Sequence, residues 1–472
     1  MAFILLWFIP LFFVFVKRSL VIFLLFLGLN IPQLLAQNIA RMRQDDNFSY
    51  LKLDTNRFKS WDESLKYIPF ILKSTISFGG EWREQYQSYH QVNFGDVPDN
   101  FITEDPHQIM HRVLLHANWE ISPRFRVFAQ LNNTLRFLNE NPITSTLDKN
   151  ALSLHQAFVD WKMSPKLILR LGRQEYTWGL ERLMALKEGP NTRQPFYGAT
   201  LKWHQGNQKI DAFIANPIRQ NKGVFDDVRS TEVLSGTVWN HTFSSKTDFF
   251  DAYYFFLESS LREYYLKKGL EARNTLGTRW YCETKTFNYD VEVAGQWGHF
   301  NDLTIRAFLF VYDFNYELKR HFFVGFSGNW VPGDVSNHDQ QLNTFNTLYS
   351  RPPFGQTVSL NITNTLNLSP YIRYSDNHKW LTTLRASFVQ RASLRDGIFT
   401  PNMSALLPVM GRQLDSNASG VADIFALETN YFANKHLAFQ FELGYCAAGA
   451  YLKESGPGKD VQYLAARAAY KF

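Results

Sequence analysis

Cysteine is almost missing: Cys282 and Cys446 are the only two in 472 residues. They lie far apart, and no CxxC or compact His/Cys cluster accompanies them, which excludes a disulfide scaffold and leaves a structural zinc site without support. Net charge is also scarce, +6 for the whole chain. That balance, with no nucleic-acid motif beside it, gives no case for a DNA or RNA partner. The patterns GxSxG, HExxH and the P-loop do not occur, so no enzyme signature competes and no cofactor is implied. After Ala36 no window offers eighteen apolar residues free of charge, so the remaining chain holds no helical membrane span.

What is present in excess is aromatic surface, with 12 Trp, 22 Tyr and 42 Phe. A chain 45% hydrophobic and 19% charged is too apolar to be disordered. The first 36 residues differ from the rest. Residues 1–16 are almost wholly apolar, Lys17 and Arg18 interrupt, and a second apolar stretch from Ser19 to Leu29 leads to Leu34-Leu35-Ala36. Lys17 to Ala36 has the basic, apolar and small-residue regions of a secretory signal, cut after Ala36. The apolar residues before Lys17 fit a true start near Val14 or Val16; the rival reading is a retained membrane helix. Residues 37–73 then read as a short periplasmic tail or small helix, and 74–472 as a single domain.

Within that domain, segments of about ten residues alternate between apolar and polar, separated by turns rich in Pro, Asn, Asp and Gly. In 111–121, Val113, Leu115, Ala117, Trp119 and Ile121 oppose Arg112, Leu114, His116, Asn118 and Glu120. Ser122-Pro123 turns the chain into a second alternating segment, and Ser164-Pro165-Lys166 does the same farther on. A secreted β-sandwich would also alternate. Three features favour a membrane barrel instead. Aromatic residues close the apolar parities near turns, as at Trp119, Trp161, Trp203 and Trp297, which suits interfacial girdles. Tight connections alternate with long polar ones, 89–108, 138–152, 175–196, 217–231, 331–364 and 391–420. The last segment alternates up to a terminal Phe472, the form in which outer-membrane barrels meet their assembly machinery. A sheet in lipid must close on itself. The expected fold is therefore all-β, a single transmembrane antiparallel barrel in the outer membrane of a Gram-negative bacterium, with its outer face against lipid. The length fits strands of 9–11 residues in a count of 18, with 16 the alternative.

The stretch Leu169-Arg170-Leu171-Gly172-Arg173-Gln174-Glu175, then Trp178-Gly179, Glu181-Arg182-Leu183, Asn191-Thr192-Arg193 and Phe196-Tyr197-Gly198-Ala199, resembles the alginate-export family of outer-membrane proteins. Asp211-Ala212-Phe213, Phe225-Asp226-Asp227 and the strand bearing Gly80, Trp82 and Arg83 resemble it too. The likeness runs over roughly 75–472 and is most specific over 169–227; Tyr176-Thr177-Trp178 departs from the pattern. The resemblance implies an eighteen-stranded monomeric barrel with a narrow electropositive lumen, a passive channel for an anionic uronate polysaccharide. The alternative is a general porin for small anionic or neutral solutes. A non-transport barrel is a third reading, and a plug-bearing receptor is disfavoured because only about 37 residues precede the first strand.

A polyanion crossing a membrane needs a wet path lined by cations that stay charged. Parity puts Arg112, Arg124, Arg126, Lys162, Arg170 and Lys202 on the polar faces, with Arg83, Arg385 and Arg467 less firmly placed. Asp160, Glu81, Glu120 and Asp211 share those faces and would pair with some of them. The plain alternative is that these charges only brace the wall. Arg173 has the parity of Leu169 and Leu171, and a cation facing lipid at mid-depth costs about 2–4 kcal/mol. It is therefore expected at a strand end, where Gly172 lets the chain bend. Arg182 and Arg193 would fold inward at the pore mouth, pinning loop 175–196 or steering polymer. Asp226-Asp227 reads as solvated loop surface, not as a metal clip.

Overall fold

In the computed structural model the described residues are 40–52, 61–97, 102–138, 147–243, 247–264, 267–284, 286–336, 338–376, 379–406 and 416–472. The expected signal segment, 1–36, lies outside them.

Eighteen antiparallel strands form a closed barrel. They are β1 (Thr75–His90), β2 (His107–Glu120), β3 (Phe125–Phe137), β4 (Asn150–Ser164), β5 (Leu167–Gln174), β6 (Phe196–Gln205), β7 (Gln208–Arg219), β8 (Val233–Thr242) and β9 (Phe249–Tyr264). The second half comprises β10 (Lys267–Glu283), β11 (Phe287–Phe300), β12 (Leu303–Lys319), β13 (Phe322–Val331), β14 (Thr365–Ser375), β15 (Trp380–Arg391), β16 (Gly420–Phe432), β17 (Leu437–Ala448) and β18 (Val461–Lys471). Each pairs with its sequence neighbours. Closure comes from β1 against β18, in register from Glu81↔Lys471 to His90↔Gln462. The terminal residue adds to this seam, since Gly80 and Phe472 exchange backbone hydrogen bonds of 2.9 and 3.1 Å.

The period-two pattern is the cause of this wall. Trp82, Leu115, Leu171, Leu276, Trp280, Ile372 and Leu384 point outward and lie about half exposed, as lipid-facing residues do. Their neighbours of opposite parity, Arg83, Arg112, Arg170, Arg279 and Tyr371, are buried inside. Rings collect near the ends of the outer face: Trp161 stacks on Phe125 with centroids 6.2 Å apart, and Trp297 lies 6.5 Å from Tyr254. No helix among the described residues is long and apolar enough to cross a membrane.

The connections segregate. Turns such as Gly206-Asn207 and Arg320-His321 close one end, whereas the long connections 91–106, 175–195, 220–232, 332–364 and 392–419 all emerge at the other. Two exceptions, between β9 and β10 and between β11 and β12, are short, and there the strands themselves run on to 14–17 residues. Two of the long loops fold inward. Leu183, Met184, Ala185 and Leu186 of the 175–195 loop, and Phe345, Leu348, Leu360 and Ile362 of the 332–364 loop, are each no more than 5% exposed.

Candidate functional site

The interior is crossed by the 175–195 loop, which acts as a strap. At one end Glu188 accepts hydrogen bonds from Arg112 on β2 and Arg193, while its carbonyl accepts from Arg83 on β1 at 2.8 Å. At the other end Arg182 reaches β11, 3.2 Å from Asp290 and 3.0 Å from Glu292. Strands β2 and β11 are half a circumference apart in an eighteen-strand ring, so the strap spans the lumen. Its middle is braced by the second inward loop: Tyr349 bridges Met184, with hydrogen bonds from Tyr349 N–H to Leu183 C=O at 2.8 Å and from Ala185 N–H to Tyr349 C=O at 3.0 Å.

Electrostatics hold the strap down. Burial alone pushes the Glu188 carboxyl up, but Arg112, Arg193 and Arg83 outweigh it and hold the group well below the usual carboxylate range. Glu81 and Glu175 complete the cage around Arg193, at 3.7 and 3.5 Å. Three carboxylates around one buried guanidinium raise its pKa against the opposing effect of burial. Lys187, buried under the strap with its ammonium 2.9 Å from Asn402 Oδ1, is lowered to about 8 by desolvation and Arg262.

Of the nine cations expected to line the lumen, Arg83, Arg112, Arg126 and Arg170 belong to this kind of network. Arg170 forks onto Asp160 with bonds of 2.7 and 3.0 Å, and Arg126 approaches the same carboxylate at 2.9 Å. Arg112 pairs with Glu81, and Arg83 spends its donors on Glu188 C=O, Pro190 C=O and Asn191 Oδ1. Arg173 sits at the loop end of β5, donating to His155 C=O at 3.1 Å and pairing with Asp227 at 2.6 Å. Arg182 and Arg193 pin the strap. Arg124 lies exposed in the turn before β3 and Lys162 is exposed near the turn end of β4. Neither joins the interior network. Lys202 is half-buried on β6.

Three half-buried guanidiniums of the wall have no carboxylate at ion-pair distance among the described residues. Arg385 donates to Ser327 Oγ and lies 4.6 Å from the Tyr371 ring; Arg373 lies 5.0 Å from the same ring; Arg467 donates to Gln85 Oε1 at 2.8 Å. They stand on β15, β14 and β18, the arc on one side of the strap. The opposite arc is packed with rings: Trp178 and Tyr176 each lie 4.9 Å from Phe213, and Trp178 lies 5.9 Å from Phe255.

The comparisons with known proteins agree with this geometry. The model of the alginate export family matches residues 74–465. The chain belongs to the alginate export family. It is an outer-membrane β-barrel. None of the curated proteins compared matches it. Solved structures similar to this family member in fold include Pseudomonas aeruginosa OccK11 (OpdR), with a TM-score of 0.54 and 11% identity over 84% of this chain and 96% of that one. P. aeruginosa OccK2 (OpdF), solved in complex with glucuronate, gives 0.55 and 10% over 84% and 98%. Acinetobacter baumannii OccAB4 gives 0.54 and 11% over 84% and 97%. At such identities the likeness shows the fold alone.

Several interior residues escaped the sequence reading. Arg273, fully buried, bonds Glu271, Gln296 Oε1 and Thr344 C=O, tying β10 to the 332–364 loop. Its signal existed: Glu271 and Arg273 alternate with Leu270 and Ala272 along β10. Glu188 had none, because a loop residue has no parity. The segment before the barrel, expected as a periplasmic tail, contributes too. Arg43 and Gln44 are 2% and 1% exposed, and Arg126 donates to Gln44 C=O at 2.8 Å. No group of His, Cys, Asp and Glu suited to a metal occurs among the described residues, and Asp227 is engaged by Arg173 and Asn150.

Proposed function

We propose that the barrel is a passive outer-membrane channel for an anionic saccharide, with acidic polysaccharide as the cargo class and no catalytic role. The observation that carries this reading is the trio Arg373, Arg385 and Arg467. A guanidinium already paired with a wall carboxylate offers a passing anion little, because its charge is neutralised; one bonded only to Ser327, Gln85 or a ring keeps its full charge. Lying on the arc away from the packed rings, these three offer carboxylates successive weak partners, which transit requires: attraction enough to enter and not enough to stay. Family membership supports the channel reading, and the glucuronate complex of OccK2 shows a barrel of this fold holding an acidic sugar.

The paired cations serve differently in this proposal. Arg83, Arg112, Arg170, Arg182 and Arg193 set the bore by holding strap and wall, Arg173 fixes the mouth, and Arg126 guards the turn end together with Lys202, which stands outside the pairs. By the usual orientation of outer-membrane barrels the short turns face the periplasm and the long loops face outward. The barrel works as a monomer. The deciding experiment is planar-bilayer recording of the purified barrel, reading the anion-to-cation permeability ratio and block by uronate oligomers against neutral oligomers of equal length. Anion selectivity with preferential block by the charged oligomers is expected. Equal permeabilities without block would reduce the protein to a general porin.

A further inference from the structure

The chain before β1 enters the barrel from the turn end. Arg43 donates to Gly80 C=O at 3.0 Å and to Phe472 C=O at 2.7 Å, and pairs with Asp46 at 2.8 Å. Gln44 meets mid-strand positions of the wall, its side-chain oxygen 3.2 Å from Gln156 Nε2. Arg41 reaches the strap and pairs with Glu181 at 2.8 Å. Residues 40–52 thus stand between the turn-end opening and the strap.

The way this segment is held sets it apart from the inward loops. Its backbone–backbone hydrogen bonds are internal, Asp45 to Met42, Asp46 to Arg43 and Leu51 to Phe48. Leu51 is its one fully buried apolar side chain among the described residues. Among the described residues no backbone–backbone hydrogen bond joins it to a strand, and side-chain polar contacts, which water can replace, make its seat. That seat is also short of acceptors. Gln44 Nε2, Gln130 Nε2 and Arg126 Nε are buried donors without a partner. Asp45 of the same segment is exposed.

We propose that residues 40–52 are a displaceable stopper of the turn-end entrance, seated by polar contacts that incoming anionic cargo can replace. A carboxylate-bearing polymer brings the acceptors this seat lacks, for Arg126 Nε and Gln130 Nε2 among them. Cargo binding and stopper release are then one exchange, since a ligand that prefers the vacated seat shifts the population towards it. The proposal rests on the channel reading above.

The test is channel recording on the full barrel and on a variant deleted for 40–52, with heat-modifiable gel migration as the check that both are folded. The deletion is expected to raise conductance in 1 M KCl about threefold or more and to abolish any further rise on adding uronate oligomers from the turn side. A folded deletion variant conducting like the parent overturns the stopper. Should the deletion not fold, Gln44→Cys with Gln156→Cys, in a Cys282→Ser, Cys446→Ser background, is bridged by a short bis-methanethiosulfonate linker. The bridged channel is expected to stay at or below parental conductance whatever the oligomer, with dithiothreitol restoring the response. A bridged channel that still opens to uronate overturns the proposal. Conductance in KCl reads the stopper and oligomer block reads the cargo: a deletion that raises conductance without anion selectivity refutes the cargo reading alone, and unchanged conductance with block refutes the stopper alone.

Discussion

Gly172 shows at the scale of one residue what the motif Gly-Arg-Gln accomplishes. Its φ of +133° lies where side-chain-bearing residues are strained, and a Cβ there would collide with the Ala157 carbonyl oxygen of β4. The local bend sets Arg173 at the strand end, within reach of Asp227, where a cation of lipid-facing parity is otherwise costly. Gly172→Ala is expected to destabilise the barrel by about 1–3 kcal/mol from backbone strain, with the collision added. A lower temperature for the heat-modifiable gel shift would show it; a variant as stable as the parent would mean β5 can straighten without cost. The arginines were legible here by parity alone. Their partners were half legible: Asp160 and Glu81 share a face with Arg170 and Arg112, but Glu188 and Glu175 lie on a loop, where three-dimensional return of the chain decides contact.

Elements were more readable than residues. Strand positions follow from alternation, because a closed sheet with lipid outside and polar groups inside enforces two faces on every segment. Loop placement does not, since no sequence periodicity tells a loop to lie across the lumen or out in solvent. The 332–364 and 392–419 loops illustrate this, locked together by Asp396. Its carboxylate accepts from Asp334 N–H at 2.8 Å, Thr344 Oγ1 at 2.6 Å and Gly397 N–H at 2.8 Å, while Lys267 pairs with the neighbouring Asp334. Burial, aided by the Asp334 charge, raises Asp396 from 3.8 to about 6 against these hydrogen bonds. An acid raised in the docked state stabilises docking below its free pKa and loses that contribution as pH climbs through about 6. The loop pair is thus expected to be firmer at pH 4–5 than at pH 7.5, by at most about 3 kcal/mol at about 1.4 kcal/mol per unit. Hydrogen exchange over 392–406, corrected for intrinsic rates, should speed up more than correction predicts between pH 5 and 7.5, and Asp396→Asn should flatten the dependence. Unchanged protection across that range would refute the link.

For the molecule as a whole, the chain's small net charge conceals how the lumen is charged. Glu81, Glu175, Glu188, Asp160, Asp290 and Glu292 pair in place with Arg112, Arg126, Arg170, Arg182, Arg193 and Arg279, so most interior charge contributes to architecture and little to the field a solute meets. Arg373, Arg385 and Arg467 stay outside these pairs, and on the channel reading they carry the positive charge a solute meets. A field from three separated cations acts over roughly a Debye length, about 10 Å at 0.1 M salt and 3 Å at 1 M. Preference for chloride over potassium should therefore be clear in 0.1 M KCl and decline towards unity in 1 M. Replacing all three by Gln should bring the low-salt ratio near unity while leaving the thermal gel shift in place, because no buried ion pair is broken. The contrasting variant is Arg193→Ala, which takes from Glu175 its guanidinium partner and leaves Glu81 and Glu188 to Arg112, and which should loosen the strap by about 3–5 kcal/mol, the usual result of removing one partner of a buried pair. If the triple variant kept its low-salt selectivity and Arg193→Ala lost it instead, the anion path would run along the strap and not along the β14–β18 arc.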